Sequence, residues 1–303
     1  MGSPAAPYVV GIDAGASRTR ALALDRDGRA LRTREAAGAN LLASPDALAR
    51  LRDVIAAVTD DTAPAAIAVC AAGTEDERTR ARLSSFLAEA LPRVHAVIAH
   101  DAVAALYAAT PRGVGVVLIS GTGAIAYGRD AEGHETRASG WGHLIGDEGS
   151  VAWLGLEALR AAVRAADGRG EPTALGGAIL AELGVPDLRE ALPHLYGVPH
   201  PAPAVLAAFR ALGAVLDRDE VAQRIVAAGA DELARAAQVV AVRLNLDDVF
   251  LSGGAFEWLP PLERATRERL AALLPRARVE RSGSEPVRGA ARIAAHAAWG
   301  DAR

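Results

Sequence analysis

Residues 8–25, Tyr-Val-Val-Gly-Ile-Asp-Ala-Gly-Ala-Ser-Arg-Thr-Arg-Ala-Leu-Ala-Leu-Asp, carry the pattern that decides the fold. The apolar runs at 8–13 and 20–25 predict two strands, and the small residues between them predict a hairpin turn. The first strand ends in Asp13, and Ser17 and Thr19 add hydroxyls. Backbone N–H groups in such a turn can bind phosphate, and the acid can hold Mg²⁺ through water. An ordinary hairpin turn explains the same residues, so both interpretations stay open.

The same pattern occurs a second time. Apolar runs at 114–119 and 124–129 flank the turn Ser120-Gly121-Thr122-Gly123, which again contains a hydroxyl. A third strand is predicted to follow each pair, near 29–35 in the first half and 133–138 in the second. The remaining elements predicted in the first half are helices at 45–59, 76–91 and 101–109 and strands at 65–71 and 94–99. This is mixed α/β order, with a hairpin opening each half.

A turn at residues 110–113, Thr-Pro-Arg-Gly, predicts the boundary between two domains, 1–112 and 113–303. Most of 150–243 has helical character and is expected to be an insertion in the second domain. The second domain then continues with a strand at 247–252, a helix at 260–274, a strand at 277–280 and a helix at 287–299. The last helix can pack back on the first domain.

Composition narrows the class of protein. The 303 residues are 51% hydrophobic and 23% charged, enough to bury the cores of two domains. A net charge of -4 gives no basic field for nucleic acid or an anionic membrane, and no run approaches the roughly 20 apolar residues of a membrane span. The single cysteine, Cys70, excludes an intrachain disulfide. The start of the sequence lacks signal-peptide features, so we expect a soluble cytoplasmic protein with a small-molecule partner.

The sequence contains no lysine, so all 33 basic residues are arginine. Walker-type phosphate loops, Schiff-base enzymes and protein kinases all use a lysine amine at the reacting centre. These classes are therefore excluded. Binding of ATP would depend on glycine backbone, hydroxyls, carboxylates and metal.

Residues 140–150, Gly-Trp-Gly-His-Leu-Ile-Gly-Asp-Glu-Gly-Ser, suit a small polar ligand. The glycines leave backbone exposed, and Asp147 and Glu148 offer carboxylate acceptors. A capped helix start explains the acids equally well. Trp141 can pack under the loop or stack on a sugar face, and both interpretations stay open. Ser252-Gly253-Gly254 is another strand end at which glycines permit close approach.

Asp101 follows the predicted strand at 94–99 and begins a helix. Aspartate is a favoured helix cap, but capping is compatible with catalysis, because the positive helix end keeps the carboxylate ionised. Such an acid can accept the proton of an alcohol during phosphoryl transfer. His100, His143 and His200 have no partner at a metal-binding spacing, which favours surface or structural roles.

These segments, in this order, resemble the actin, hexokinase and Hsp70 superfamily, and most specifically its N-acetylglucosamine kinase branch, also called the BadF/BadG/BcrA/BcrD ATPase family. The resemblance covers nearly the whole chain and is weakest at about 165–240. It implies two ribonuclease H-like (actin-like ATPase) domains that flank a nucleotide and sugar cleft. It also implies phosphorylation of an aminosugar by ATP and Mg²⁺, most specifically of N-acetylglucosamine to its 6-phosphate, and is compatible with a homodimer.

The resemblance also implies roles for particular residues. Asp101 falls on the catalytic base and Asp13 on the Mg²⁺ position. The positions implied for the sugar are Asn40, Asp101, Thr122, Gly140, Trp141, Gly142 and Asp147. Those implied for the nucleotide are Gly15, Ser17, Arg18, Thr19, Gly121, Thr122, Gly123, Gly253 and Gly254, with Arg288-Gly289-Ala290 beside the adenosine motif at 252–256.

The sequence departs from the family pattern in the first turn, where Ala14 and Ala16 stand in a segment usually richer in glycine. Three alternatives remain open. The substrate can be glucosamine or N-acetylmuramic acid. The chain can be an ATPase that activates a partner enzyme, although that branch supplies several cysteines to an iron–sulfur cluster and this chain has one. It can also be a sugar sensor, although the helix-turn-helix and zinc motif of such repressors are absent from this sequence.

Overall fold

A computed structural model describes residues 7–42, 44–59, 62–198 and 201–300, so His200 lies outside the described residues. The chain forms two compact units. One contains the described residues up to Val114 together with those from Arg281 onward, and the other is Gly115–Glu280. The first unit therefore includes the C-terminal segment, whereas the division into 1–112 and 113–303 assigns that segment to the second domain.

The first unit contains a five-stranded sheet with the order β3-β2-β1-β4-β5 in the described part of the chain. The hairpin strands β1 and β2 are antiparallel, as are β2 and β3, whereas β4 lies parallel to both β1 and β5. The strands are β1 (Tyr8–Ala14), β2 (Arg18–Asp25), β3 (Ala30–Ala37), β4 (Ala66–Ala71) and β5 (His95–Ala99). The helices are α1 (Ala47–Val58), α2 (Glu77–Ala90), α3 (Asp101–Ala109) and α10 (Pro286–Trp299).

Side-chain alternation divides the core of this unit between the two faces of the sheet. Tyr8, Val10 and Ile12 of β1 pack with α1 and α2. Val9 lies on the opposite face and packs with α3 and α10. Because β4 is buried at every position, helices cover it on both sides, as expected of a strand with parallel neighbours.

Two glycines explain how α10 reaches the sheet. A Cβ on Gly11 would lie 2.1 Å from the backbone nitrogen of Ala291, and a Cβ on Gly289 would lie 1.8 Å from the carbonyl oxygen of Ala104 in α3. Helix α10 therefore packs directly on the backbone of β1 and α3. In the structure, Gly289 is a helix-packing residue.

The second unit repeats the strand arrangement in a sheet of order β10-β9-β6-β7-β8, again for the described residues. Strands β6, β7 and β8 are successively antiparallel, and β9 is parallel to β6. The strands are β6 (Gly115–Ser120), β7 (Ala124–Arg129), β8 (Glu135–Ser139), β9 (Asp248–Ser252) and β10 (Arg278–Arg281). The helices are α4 (Val151–Ala166), α5 (Leu175–Leu183), α6 (Pro203–Val215), α7 (Glu220–Leu244), α8 (Gly254–Trp258) and α9 (Pro260–Leu273), with a 3₁₀ turn at Leu192–His194.

Helices α4 to α7 form one apolar core with the sheet of this unit. Helix α7, 25 residues long, crosses the loop before α4 at a pair of glycines. A Cβ on Gly149 would lie 2.6 Å from the carbonyl oxygen of Gly229, so the two backbones touch. None of the helices that the structure describes is both long and apolar enough to cross a bilayer.

The predicted α/β class with two related sheets is confirmed. The first turn is shorter than the sequence suggests, because Ala14 and Thr19 pair across the hairpin and leave only residues 15–17 between the strands. Within the described residues, the helical stretch at 150–243 divides into α4, α5, α6 and α7. Pro and Gly clusters separate the first three of these helices, whereas residues 216–219 between α6 and α7 contain neither Pro nor Gly.

Candidate active site

The first turn, residues 15–17, is fixed by backbone contacts. The N–H of Gly15 donates to the carbonyl oxygen of Arg18 at 2.9 Å, and the N–H of Gly38 donates to that of Ser17 at 3.1 Å. A Cβ on Gly38 would lie 2.0 Å from the carbonyl oxygen of Ala16, so only glycine fits there. Arg50 of α1 in turn donates to the Gly38 carbonyl. The segment after β3 thus holds the turn in place.

The predicted nucleotide residues of this turn face different surroundings. Ser17 and Arg18 are exposed, whereas Thr19 is fully buried and its hydroxyl has no hydrogen-bond partner among the described residues. Thr19 shares a face of β2 with Ala21 and Ala23, which pack on the side of α1. Asp13 is paired with Arg20 and lies on the opposite face.

Asp13 is partly buried at the end of β1. Burial and the negative charge of Asp101 raise the pKa of the Asp13 carboxyl to about 7, against the opposing effect of Arg20 and Arg18. The influence of Asp101 indicates that the two predicted acids lie near each other in this unit. A cation would stabilise both in their ionised form, so the acids fit a Mg²⁺ ion that keeps most of its water ligands.

Asn40, a predicted sugar-binding residue, also lies near the end of a strand. Its side-chain oxygen accepts a hydrogen bond from the Leu42 N–H at 3.0 Å. The neighbouring Leu41 N–H donates to the Ala72 carbonyl, just beyond β4, at 3.3 Å. Asn40 is therefore held beside the end of β4, which is parallel to β1.

Asp101 is the first residue of α3, and its side chain is about one-third exposed. The cap of this helix is His100, whose Nδ1 accepts a hydrogen bond from the Ala102 N–H at 3.2 Å. Asp101 is thus free of the capping role that the sequence left open. The same Nδ1 lies 3.0 Å from Oδ1 of Asp101, and Nε2 lies 3.6 Å from Oε1 of Glu75.

The second turn is attached to the start of α4. The carbonyl oxygens of Gly121 and Thr122 accept hydrogen bonds from the N–H groups of Val151 and Ala152, at 2.9 and 3.3 Å. Ser120 donates from its hydroxyl to the Gly149 carbonyl at 2.8 Å. The turn carbonyls therefore satisfy two of the free N–H groups at this helix start.

Gly253 lies against the strand that precedes this turn. Its φ is +105°, and a Cβ there would lie 2.2 Å from the Ser120 carbonyl oxygen. Because β6 and β9 are parallel, the ends of both strands meet at one edge of the sheet. The predicted adenosine residues Gly253 and Gly254 are thereby brought next to the second turn.

The loop at 140–146 presents a large exposed surface. Gly140 and Gly142 have φ of +76° and +87°, values that favour glycine. Trp141 is 67% exposed, which excludes packing beneath the loop, and its ring lies 5.0 Å from the guanidinium carbon of Arg137. This cation–π contact positions the indole at the surface.

Asp147 is buried under the loop, with φ of +60°. Its Oδ1 accepts a hydrogen bond from the Gly142 N–H at 3.1 Å, and burial raises the pKa of its carboxyl despite backbone hydrogen bonds from Gly142 and Ala124. A Cβ on Gly123 would lie 2.5 Å from Oδ2 of Asp147. Asp147 thus connects the loop to the second turn, while Glu148 accepts from the Ser139 hydroxyl at 3.3 Å.

The structure brings the predicted residues together within each unit. In the first unit the turn at 15–17, Asn40 and the two acids lie at the ends of β1, β4 and β5, and in the second unit the turn at 121–123, Asp147 and Gly253 do the same around β6. Sequence reasoning missed Glu75 and the contact that His100 makes with Asp101. The sequence did contain a signal for this contact. Glu75 and His100 each follow a strand, and the ends of neighbouring parallel strands lie at the same edge of a sheet.

Two curated relatives match part of the chain. It is 35% identical over 153 residues to the N-acetylmuramic acid/N-acetylglucosamine kinase of Clostridium acetobutylicum, a match covering 50% of each protein. It is 31% identical over 190 residues to the N-acetyl-D-glucosamine kinase of Dictyostelium discoideum, covering 57% of this chain and 60% of that one. The chain thus spans about half to three-fifths of the length of these relatives.

A solved structure extends the comparison to the whole fold. It is a candidate N-acetylglucosamine kinase from Chromobacterium violaceum, 24% identical, with a TM-score of 0.75 over 95% of this chain and 99% of that one. This agreement confirms the actin-like ATPase fold that the sequence predicted. The model of the BadF/BadG/BcrA/BcrD ATPase family matches residues 10–294. Because that match covers nearly all of the sequence, the chain belongs to the BadF/BadG/BcrA/BcrD ATPase family.

Proposed function

We propose that this protein is an ATP-dependent kinase that phosphorylates an aminosugar, with N-acetylglucosamine as the first candidate and its 6-phosphate as product. The observation that carries the proposal is Asp101, a partly exposed acid at the start of α3 that lies near a second acid, Asp13. The names of the two curated relatives support an aminosugar as the substrate. N-acetylmuramic acid is the second candidate, because the Clostridium relative is named for both sugars.

In the proposed reaction Asp101 accepts the proton of the sugar hydroxyl as that oxygen bonds to the transferred phosphoryl group. The N-terminus of α3 stabilises the carboxylate until it takes the proton. Asp13 would hold Mg²⁺, which would neutralise phosphate charge when bound. The exposed Ser17, together with backbone N–H groups of the first turn, would bind phosphate oxygens.

We assign the second unit to the nucleotide base and the sugar. The turn at 121–123 and the glycines at 253–254 would bind nucleotide, and Thr122 would also contact the sugar. The exposed indole of Trp141 would stack on a sugar face. Because Asp147 already accepts a loop N–H, it would act on the sugar mainly by shaping the loop. Cytoplasmic location and a homodimer stay predictions.

The alternative of a partner-activating ATPase has less support. Such proteins share an iron–sulfur cluster through cysteines of each subunit. Cys70 is fully buried within β4, and burial together with the charges of Asp13 and Asp101 raises the pKa of its thiol. A cysteine in this environment is a poor ligand for a cluster at a subunit surface.

The proposal is tested by ADP release with Mg²⁺, ATP and a panel of N-acetylglucosamine, N-acetylmuramic acid, glucosamine, N-acetylmannosamine and glucose. We expect turnover of at least one aminosugar, and a loss of about 10²- to 10⁴-fold in kcat for Asp101→Asn, because the variant cannot accept the proton. Asp27→Asn, in the exposed turn between β2 and β3, is the matched control. Absence of turnover with every sugar would overturn the proposed function, and equal turnover in Asp101→Asn would overturn the base.

A further inference from the structure

The ends of β4 and β5 are joined by a buried threonine. The hydroxyl of Thr74 lies 2.8 Å from the Ala71 carbonyl oxygen and 3.0 Å from the Ala99 carbonyl oxygen, at the ends of the two strands. Thr74 is fully buried, and Arg80 of α2 donates to its carbonyl at 3.2 Å. The residue after Thr74, Glu75, is consequently held beside the residue that follows β5, which is His100.

His100 contacts three groups through its two ring nitrogens. Its Nδ1 accepts from the Ala102 N–H at 3.2 Å and lies 3.0 Å from Oδ1 of Asp101, while Nε2 lies 3.6 Å from Oε1 of Glu75. The His100 side chain is only 18% exposed. One nitrogen cannot serve both partners at once: without a proton Nδ1 accepts from the Ala102 N–H, and with a proton it donates to Oδ1 of Asp101.

Helix capping alone does not account for a histidine here. Asn, Asp, Ser and Thr are the preferred caps, and none of them could contact a carboxylate on the far side as the second ring nitrogen does. Histidine can cap α3 and reach Glu75 at once, because its two nitrogens lie on different edges of the ring. With a proton on Nδ1 the ring can instead donate to Oδ1 of Asp101 while Nε2 still faces Glu75, so the same ring position gives the acid a hydrogen-bond donor.

We propose that His100 is a positioning residue for Asp101 and that Glu75 holds His100 in place. A hydrogen bond from the protonated Nδ1 to Oδ1 of Asp101 would restrict rotation of the carboxylate and present Oδ2 to the sugar hydroxyl. The inference rests on the proposed function, in which Asp101 is the base. Orientation of a reacting group matters strongly, since a displacement of about 1 Å can cost about 10²-fold in rate.

Kinetics of single variants test the role. We expect His100→Ala to lower kcat about 10- to 100-fold and to leave the KM for sugar within about twofold, because the binding residues are untouched. His100→Asn, whose amide can still cap α3 and contact Asp101, should restore most of that loss. Glu75→Gln should also lower kcat, but by a smaller factor than His100→Ala. Wild-type kcat in His100→Ala, or no rescue by His100→Asn, would overturn the inference.

Matched controls separate this effect from general loss of structure. His95→Asn alters an exposed histidine at the other end of β5, and Glu77→Gln alters an exposed acid in the first turn of α2. Both should keep kcat within about twofold of the wild type. In an Asp101→Ala background, His100→Ala should cause no further loss, because a residue that acts through Asp101 has nothing left to position. A full additional loss would contradict positioning.

A measurement without turnover distinguishes failure of the contact from failure of the proposed function. The ring ¹⁵N resonances of His100, identified by their absence in His100→Asn, should shift in both Asp101→Asn and Glu75→Gln, while those of His95 stay constant. If the His100 ring resonances shift in neither variant, the inference is overturned, whatever kinase activity the protein has. A ring that responds in a protein without kinase activity would support the contact and overturn the proposed reaction.

Discussion

The carboxyl of Asp13 illustrates how much a single residue depends on its surroundings. In the sequence it is an acid at the end of an apolar run, which is compatible with either an ordinary hairpin turn or a metal ligand. In the structure, burial and a neighbouring acid raise its pKa to about 7. The sequence could predict the position of this carboxyl, but not its pKa, because Asp101, 88 positions later at the start of α3, comes near it only in the folded chain.

The raised pKa predicts a specific dependence of stability on pH. Since the folded protein binds the Asp13 proton more tightly than the unfolded chain, this contribution to stability is complete below about pH 4 and is lost as pH rises to about 7. Asp13→Asn should flatten this dependence and raise the free energy of unfolding at pH 8 by about 1–4 kcal/mol in the presence of EDTA.

Urea unfolding of both proteins at pH 5 and pH 8 measures the effect. Asp25→Asn is not a suitable control, because Asp25 accepts turn hydrogen bonds, whereas Asp27, two residues later in the same turn, is exposed. Asp27→Asn should change stability equally at the two pH values. An identical pH dependence in wild type and Asp13→Asn would contradict the burial of a charged group.

At the level of elements, the start of α7 depends on one buried carboxylate. Asp219 accepts hydrogen bonds from the Ala222 N–H at 2.8 Å, the Thr173 hydroxyl at 2.7 Å and the Ala174 N–H at 2.6 Å. Asp219 thus caps α7 and also holds the segment before α5 against the start of that helix. Burial would raise the pKa of Asp219, but these hydrogen bonds outweigh it and lower the pKa.

Asp219→Ala should reduce the free energy of unfolding by about 1–3 kcal/mol at pH 7, because the cap is lost and buried donors are left without an acceptor. The difference should shrink as pH falls below about 4, where the wild-type carboxylate loses its own contribution. Asp217→Ala, whose side chain is 79% exposed, is the control and should change stability by less than about 0.5 kcal/mol. Equal stability of the two variants in urea would refute this role.

The elements themselves were mostly predictable from local pattern. Alternation in β2, the glycine and hydroxyl turns and the apolar run of β4 each indicate their structure within a few residues. The position of the helix cap before Asp101 was not predictable, because choosing between His100 and Asp101 requires the direction of each side chain. The buried position of Asp147 was likewise hidden, since it depends on how the loop folds onto the turn at 121–123.

At the scale of the molecule, the first unit is completed by a helix from the far end of the sequence. Helix α10 packs on β1, β4 and α3, and its glycine at 289 leaves room only for hydrogen next to Ala104. The family match ends at residue 294, within this helix, in agreement with its place in the fold. The sequence is compatible with packing of the last helix on the first domain. The glycines that make this packing possible, Gly11 in β1 and Gly289 in α10, lie far apart in the sequence.

Gly289→Ala should therefore destabilise the first unit by about 1–3 kcal/mol, because the added methyl group overlaps backbone that cannot move cheaply. Thermal unfolding followed by circular dichroism measures the change. Gly283→Ala is the control, since a Cβ there meets no heavy atom within 4 Å. Comparable melting temperatures for the two variants would show that α10 does not pack as closely as the structure indicates.

By itself, the sequence determined the two repeated strand and turn patterns, the exclusion of lysine-based chemistry and the candidate residues at strand ends. These are local properties, set by the alternation of side chains and by the conformations that turn residues allow. Only the tertiary structure decided that α10 belongs with the first unit, that Asp147 is buried, that Asp13 has a raised pKa and that His100 contacts both Glu75 and Asp101. Each of these depends on groups from different elements, whose distance and solvent exposure exist only in the folded chain.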